Sequence, residues 1–218
     1  MYKDIVLLAC SKKHMNYCIA GIDIKNGEWV RIISNDAHII EAVRAEDIRY
    51  EDGTFPQLLD IIRITVLEHR PNYYQPENYL FDEQYYWSKI GRVGSKQAIE
   101  KYATNKPEYL FFNTKKSVES EYIQQLKEAE KYSLIAIRPR NLKVQIKQWP
   151  EGKKIDMSFQ YNGRSYDYLK VTDPQFIQKY IEHEEGSYFL GDDVLLVISL
   201  GENYYDAHYK LISGVIMA

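Results

Sequence analysis

The chain is poor in cysteine and lacks any long apolar run. Its 218 residues include only two cysteines, too few for a disulfide framework, and no secretory pattern precedes them. The apolar run over residues 5–10 is too short for a signal peptide or a membrane span. We therefore expect a cytoplasmic protein with no membrane partner.

The chain also lacks an excess of positive charge. The formal net charge is −3, which argues against non-specific binding to duplex nucleic acid. It has no phosphate-binding P-loop, no dinucleotide glycine pattern, no paired histidines at helical spacing and no nucleophile elbow. These absences predict no cofactor and favour a non-catalytic protein, but they leave an enzyme open.

Tyrosine is the residue that is unusually frequent. The chain has 20 tyrosines, while its hydrophobic content of 45% is ordinary for a soluble globular protein. Phenol rings combine contact area with a polar tip, so this richness suits β-structure, wet interfaces and base stacking alike.

The first 34 residues predict a β-meander. Three β-branched runs, residues 5–10, 18–24 and 29–33, are separated by a polar loop and by Asn26-Gly27, which predicts a type I′ hairpin. That turn would place Asp23 opposite Val30 and Arg31 in an otherwise apolar row. We therefore predict that Arg31 is buried and paired with a carboxylate, Glu77 ahead of Asp60.

The remaining pattern predicts a mainly β protein with a few helices (α+β), built as two OB-like small Greek-key barrels in tandem over residues 1–132 and 133–218. The order strand, strand, strand, helix, strand, strand is clear in the second half; in the first half the fifth strand is left open. The predicted segments are a strand at 58–68, a loop at 69–83, helices at 96–102 and 117–131, a short strand at 109–112, one bent strand over 134–138 and 142–149, a hairpin at Asn162-Gly163, a helix at 174–183, and strands at 193–200 and 209–217.

Several short patches resemble a known family. They are C-S-K-K, C-I-A-G and G-E-W-V-R-I-I-S near the start, then L-L-D-I, Y-Q-P-E-N and V-T-D-P, and finally S-L-G with Y-K-L-I-S. Together they resemble the dual OB-fold-containing domain, a bacterial family often found near conflict and defence genes. The resemblance implies the tandem barrels over nearly the whole chain, and it carries no catalytic signature.

Cys10, His14 and Cys18 recur at steps of four residues. Thiolates and an imidazole are zinc ligands, but a structural site needs a fourth ligand that the spacing does not supply. We favour packed cysteines on paired strands and predict no metal.

Three patches are candidates for ligand contact. The loop at 11–16 offers lysines and a hydroxyl to an anion, the loop at 73–78 offers amides and tyrosines to bases, and the alternating stripe at 143–149 offers basic and aromatic groups on one strand face. The candidate ligand-binding residues are Ser11, Lys12, Lys13, Arg31, Tyr74, Gln75, Glu77, Asn78, Lys143, Lys147 and Trp149. A solvated loop, a structural turn network and a solvated outer face are the respective alternatives. We expect the three patches to meet in one groove.

The apolar residues of the hairpin at 155–170 are interpreted differently. They could form a stacking platform, but alternation with tyrosines favours a barrel core.

The function expected from these features is a non-catalytic binding module for single-stranded nucleic acid or a nucleotide, in the defence setting that the resemblance implies. One alternative is a nucleotide- or nucleic-acid-processing enzyme that uses Asp60, Glu77 and Lys12. The other is a subunit that binds a protein partner.

Overall fold

The computed structural model describes residues 1–13, 15–39 and 41–218. Within that part of the chain the strands are β1 (Tyr2–Lys13), β2 (Asn16–Asp23), β3 (Trp29–Ile33), β4 (Asp60–His69), β5 (Asn78–Phe81), β6 (Ser88–Arg92), β7 (Ser117–Glu119), β8 (Leu134–Ile137), β9 (Arg140–Trp149), β10 (Gly152–Tyr161), β11 (Arg164–Val171), β12 (Gly186–Gly191), β13 (Val194–Tyr204) and β14 (Ala207–Met217). The helices are α1 (Ser95–Tyr102), α2 (Ser120–Gln125) and α3 (Pro174–Tyr180). None of the helices in the described residues is long and apolar enough to cross a membrane.

The first half forms a closed barrel. Its strands follow the order β1-β2-β3-β5-β4, and β4 pairs back onto β1 to close the circle. The fifth strand, which the sequence left open, is β5, and it runs parallel to β3. The prediction that residues 69–83 are all loop is therefore wrong, because β5 lies between β3 and β4 and obtains its hydrogen bonds from both.

The first hairpin has a different turn from the predicted one. Gly21, not Asp23, lies opposite Val30, so the register is displaced by two residues. The Gly27 N–H donates to the Asp23 carbonyl (2.8 Å) and the Lys25 N–H to the Asp23 carboxylate (3.0 Å), which closes a longer loop. The side-chain parity is unchanged, so Arg31 still lies on the face of Ala20 and Trp29.

The second half is built from the sheet order β12-β9-β10-β11-β14-β13-β8. The strands β8 and β9 follow each other across Arg138 and Pro139, and they pair with β13 and β10 respectively. The prediction of a single bent strand is therefore wrong, since β8 and β9 are separate strands that pair with different neighbours. The tandem OB-like architecture is confirmed, with β12 as an added strand beside β9.

The second hairpin has the predicted turn and the predicted pairing next to it, and a bulge changes the pairing farther along the strands. Asn162 (φ 49°) and Gly163 (φ 75°) form the two-residue turn between Tyr161 and Arg164. A bulge near Tyr168 (φ 55°) then shifts the pairing, so Lys170 lies opposite Asp156. The apolar row is core, as predicted; its buried members are Ile155, Met157, Phe159, Tyr161 and Tyr166.

Two short predictions are wrong. Residues 110–112 form a 3₁₀ turn in place of a strand, with Phe111 and Phe112 in the left-handed region. The predicted helix at 117–131 is interrupted, because residues 117–119 pair with β14 as β7 before α2 begins. Helix α3 is confirmed, since the Asp173 carboxylate accepts hydrogen bonds from the Gln175 and Phe176 N–H groups.

One apolar core spans the division between the halves. The cluster that fills the first barrel includes Leu134, Ala136, Leu195, Val197 and Ile216 from the second half. The shared cluster shows that the two barrels pack closely. The division into two domains after residue 132 stays a prediction.

Candidate nucleic-acid interface

Arg31 lies at the junction between the barrels. Its side chain is 7% exposed, as predicted, and its Nη2 donates to the Ser133 hydroxyl at 3.0 Å. Glu77 accepts from the Ser133 N–H (2.7 Å) and the Ser133 hydroxyl (2.8 Å). Among the described residues Arg31 has no ion pair with a carboxylate, so the predicted pairing with Glu77 is wrong; Ser133 lies between the two side chains and bonds to both.

The loop at 73–78 packs against the second barrel. The His208 Nδ1–H donates to the Gly201 carbonyl (2.8 Å), which leaves Nε2 to accept from the Tyr73 hydroxyl at 2.7 Å. The Tyr74 ring lies 4.1 Å from the His208 ring, centroid to centroid. These contacts attach the loop to β14.

The amides of the same loop are also buried. Asn78 is fully buried and donates to the Gln75 Oε1 at 3.2 Å, while Asn72 donates to Gln75 and to the Glu41 carboxylate. Arg31 Nε and Asn78 Oδ1 have no hydrogen-bond partner within the described part of the chain. The side chains of Tyr74, Gln75 and Asn78 are thus used inside the junction.

The patch at 11–16 is mostly strand. Ser11, Lys12 and Lys13 belong to β1, so the predicted six-residue loop is wrong; the strand continues because Ser11 pairs with Cys18 and Lys12 with Tyr17. Ser11 is buried, Lys13 contacts Glu202 at 3.0 Å, and the Lys12 N–H donates to the Thr172 carbonyl at 3.2 Å. This patch and the loop at 73–78 therefore both contact the second barrel.

The stripe at 143–149 has the predicted alternation. Lys143, Lys147 and Trp149 are exposed on the outer face of β9, while Leu142, Val144 and Ile146 are buried. The described contacts of the stripe are with β10, β11 and β12, and none joins it to the junction. The stripe thus makes no described contact with the other two patches, and the single groove stays a prediction.

Further lysines surround the stripe on the neighbouring strands. Asp156 lies on β10 between Gln145 and Lys170, and its burial raises the pKa of its carboxyl. That increase is opposed by the positive charges of Lys116, Lys147, Lys170 and Lys154. A single half-buried carboxylate is thus enclosed by lysines from four segments of the chain.

Tyr168 forms the aromatic centre of this surface. Its ring is 43% exposed, with the Lys147 Nζ 4.6 Å and the Lys116 Nζ 5.2 Å from the ring centroid. A groove of about 470 Å³ runs beside it, lined by Lys143 and Lys147 and also by the exposed carboxylates of Asp167 and Glu185. We call this surface the lysine face; it comprises Lys116, Lys143, Lys147, Lys154, Asp156, Tyr168 and Lys170.

Sequence reasoning found two of these lysines and missed the rest. Lys143 and Lys147 follow from the alternation along one strand. Tyr168 and Lys170 depend on a bulge, and Lys116 precedes β7, far from β9 along the chain. The nearest signal was the local excess of basic residues over 138–154, which includes Lys154.

Comparison with protein families decides the class of the chain. The model of the dual OB-containing domain matches residues 3–215. The chain belongs to this family. No curated protein matches it. A solved structure described as "Molecular basis for abrogation of activation of pro-inflammatory cytokines" aligns over 100% of this chain and 92% of its own, at 10% identity and a TM-score of 0.30, which is too low to bear on fold or function.

The cysteines of this dual OB-containing domain lie within paired strands. Cys10 lies opposite Ile19 and Cys18 opposite Ser11, and burial raises the pKa of the Cys10 thiol to about 12. His14 lies outside the described residues, and among those described no three His, Cys, Asp or Glu side chains are grouped to hold a metal. The absence of zinc stays a prediction.

The three side chains proposed for an enzyme, Asp60, Glu77 and Lys12, have separate surroundings. Asp60 accepts from Lys89 (2.8 Å), from Arg92 (2.6 Å) and from the Tyr50 hydroxyl (3.2 Å) inside the first barrel. Glu77 bonds to Ser133 at the junction, and Lys12 is exposed beside Thr172. The described contacts of these three side chains do not form one site.

Proposed function

We propose that this dual OB-containing domain binds single-stranded nucleic acid through the lysine face. The observation that carries the proposal is the pair of lysines on the exposed ring of Tyr168, at 4.6 and 5.2 Å, within a wider lysine cluster. Proteins that bind single strands combine a positive groove for the backbone with aromatic rings on which bases stack.

The composition of the face favours a strand over a protein partner. Its exposed groups are five lysines and one tyrosine, and they outnumber the carboxylates of Asp167 and Glu185 in the adjoining groove. The central part of a protein interface, by contrast, is depleted of lysine.

The overall charge is consistent with selectivity for single strands. A protein of net charge −3 has little general attraction for duplex nucleic acid, so the attraction is confined to the local lysine cluster. Exposed bases then supply the stacking that a duplex withholds. The cytoplasmic location and the bacterial defence setting stay expectations from the sequence.

The proposal is tested by fluorescence anisotropy with labelled single strands, duplexes and mononucleotides at several salt concentrations. We expect binding to single strands that weakens with salt. The double variant Lys147→Gln with Lys170→Gln should reduce the salt slope by about 0.7 for each lysine that contacts a phosphate.

The matched control removes the same charge elsewhere. Lys96→Gln with Lys127→Gln changes two exposed lysines outside the face and should leave both affinity and slope unchanged. Equal losses in the two double variants, or no binding of any strand by the native protein, would contradict the proposal. Tight binding of a mononucleotide alone would replace it with a nucleotide-binding function.

A further inference from the structure

The hairpin between β13 and β14 has an unusual tip. Tyr204 pairs with Ala207, and the two residues between them, Tyr205 (φ 49°) and Asp206 (φ 59°), both adopt the left-handed conformation. Such a turn normally contains asparagine and glycine, because a bulky residue at positive φ is strained. Tyrosine at the first position is therefore unfavourable for the turn itself.

The Tyr205 side chain recovers little of that cost through packing. It is 86% exposed and meets Tyr204 edge to face, with the ring centroids 4.5 Å apart. Tyr204 is 60% exposed and lies 6.3 Å from the ring of Tyr209, which is 43% exposed. Three exposed rings thus lie together at one end of the second barrel.

The exposed tyrosines continue the lysine face. Tyr209 pairs with Ser117. The residue before Ser117 is Lys116, and the Lys116 Nζ lies over the ring of Tyr168. On the far side of the face the Lys154 Nζ lies 4.1 Å from the ring of Trp149. Aromatic rings and lysines therefore alternate from Trp149 through Tyr168 to Lys116, and the rings from Tyr209 to Tyr205 continue the surface without lysines.

We infer that the ligand is a strand of several nucleotides that extends from the lysine face onto the Tyr204–Tyr205 tip, where its bases stack. This inference rests on the proposed function. It excludes a mononucleotide as the whole ligand and assigns a binding role to three tyrosines, Tyr204, Tyr205 and Tyr209, that no sequence motif marked.

The length of the track sets the length of the strand. From β9 to β13 the sheet order contains four strand spacings, which is roughly 19 Å across the surface. Since a stacked strand advances about 3.4 Å per nucleotide, about six nucleotides are needed to span it.

The charges at the Tyr204–Tyr205 tip indicate how the tip would contribute to binding. Asp206 lies in the turn and Glu119 pairs with Ala207, so the tip offers carboxylates and rings in place of cations. It therefore attracts bases by stacking, while phosphate contacts are confined to the lysine face. Loss of a tip ring should weaken binding without changing its dependence on salt.

The experiment compares Tyr205→Ala with Tyr86→Ala in the full chain. Tyr86 is a matched control, since it is 66% exposed and belongs to the first half. The probes are labelled oligothymidylates of about three, about six and about twelve nucleotides. For the native protein we expect affinity to rise up to about six nucleotides and then change little.

For Tyr205→Ala we expect a loss of at least about fivefold on the two longer strands, an unchanged salt slope and little loss on the shortest. Tyr86→Ala should match the native protein. If native protein binds the longer strands and Tyr205→Ala binds them equally well, the inference is overturned while the proposed function stands. If native protein binds no strand, the proposed function itself fails.

A second variant separates binding from folding. Tyr205→Asn places a residue suited to positive φ in the turn, so we expect Tm to rise by roughly 2–4 °C while binding falls as in Tyr205→Ala. A lower Tm would show that the ring stabilises the fold, which would overturn the inference.

Discussion

At the scale of single residues, the junction between the barrels depends on Ser133. Its N–H and hydroxyl both donate to the Glu77 carboxylate, and its hydroxyl oxygen accepts from Arg31. One hydroxyl thus links a buried cation of the first barrel to a half-buried anion. The Arg31 charge is compensated across a hydrogen-bond relay, since a direct ion pair is not present among the described residues.

Arg31→Ala should destabilise the protein by about 1–3 kcal/mol, because the Ser133 hydroxyl loses its donor in a buried setting and Glu77 loses the positive charge across the relay. The free energy of unfolding in urea measures this. Arg140→Ala is the control, since Arg140 is exposed on β9, and it should change the free energy by less than about 0.5 kcal/mol. Equal effects of the two changes would show that the relay contributes nothing.

His208 predicts a pH dependence of stability. It is fully buried, and burial lowers the pKa of its imidazole below the ordinary value. Below about pH 6.5 the unfolded chain therefore takes up a proton that the native protein resists, so stability should fall as the pH decreases from there.

The contribution of His208 is measured by comparing the free energy of unfolding of the native protein and of His208→Gln at a series of pH values. We expect the variant to lose part of the decline below about pH 6.5, while His38→Gln, at an exposed position, keeps it. Parallel pH profiles for native protein and His208→Gln would contradict the expectation.

At the scale of elements, two Asn-Gly pairs had different outcomes. Asn162-Gly163 forms the two-residue turn that its sequence predicts. Asn26-Gly27 does not, because the Asp23 carboxylate accepts from the Lys25 N–H and also contacts Lys3 on β1 at 3.0 Å. The Asn-Gly pair is the same in both hairpins. The contact between Asp23 and Lys3 on another strand decides between the two turn types, and the residues around the turn do not reveal that contact.

The elements that the sequence missed are those held by distant partners. The strand β5 has only four residues and is defined by pairing with β3 and β4. The strand β12 is largely exposed and pairs only with β9 among the described strands. The long β-branched runs were found because their burial is visible in composition, whereas these short strands lack that signal.

The same reasoning explains the candidate site. The exposed face of β9 follows from period-two alternation, so Lys143 and Lys147 were predictable. The enclosure of Asp156 by lysines from other strands depends on register and could not be predicted.

Asp156 therefore gives a prediction for the lysine face. Asp156→Asn removes the one half-buried carboxylate among the lysines, so single strands should bind several-fold more tightly at low salt. Since burial raises the pKa of the Asp156 carboxyl, affinity in the native protein should also increase as the pH falls and that group takes up a proton.

Anisotropy titrations between neutral pH and about pH 4 measure both effects. Asp156→Asn should show less of the pH dependence, whereas Asp52→Asn, an exposed change in the first barrel, should retain it. Weaker binding by Asp156→Asn would place the ligand elsewhere.

At the scale of the whole molecule, the barrels touch where β14 crosses β1. A Cβ atom added to Gly214 would lie 2.1 Å from the Leu8 carbonyl oxygen, a distance that real contacts do not show. The backbones approach so closely because glycine has no side chain at this position. The shared core on either side of the crossing includes Leu195, Val197 and Ile216.

Gly214→Ala should therefore force β1 and β14 apart, since the obstacle is backbone and has no rotamer to adopt. We expect a loss of at least about 1–3 kcal/mol in the free energy of unfolding, with faster amide hydrogen exchange in both strands. Gly94→Ala is the control, because an added Cβ there meets nothing within 4 Å. Equal free energies of unfolding for Gly214→Ala and Gly94→Ala would contradict this prediction. They would show that moving β1 away from β14 costs no stability, so the shared core would not be what holds the two barrels together.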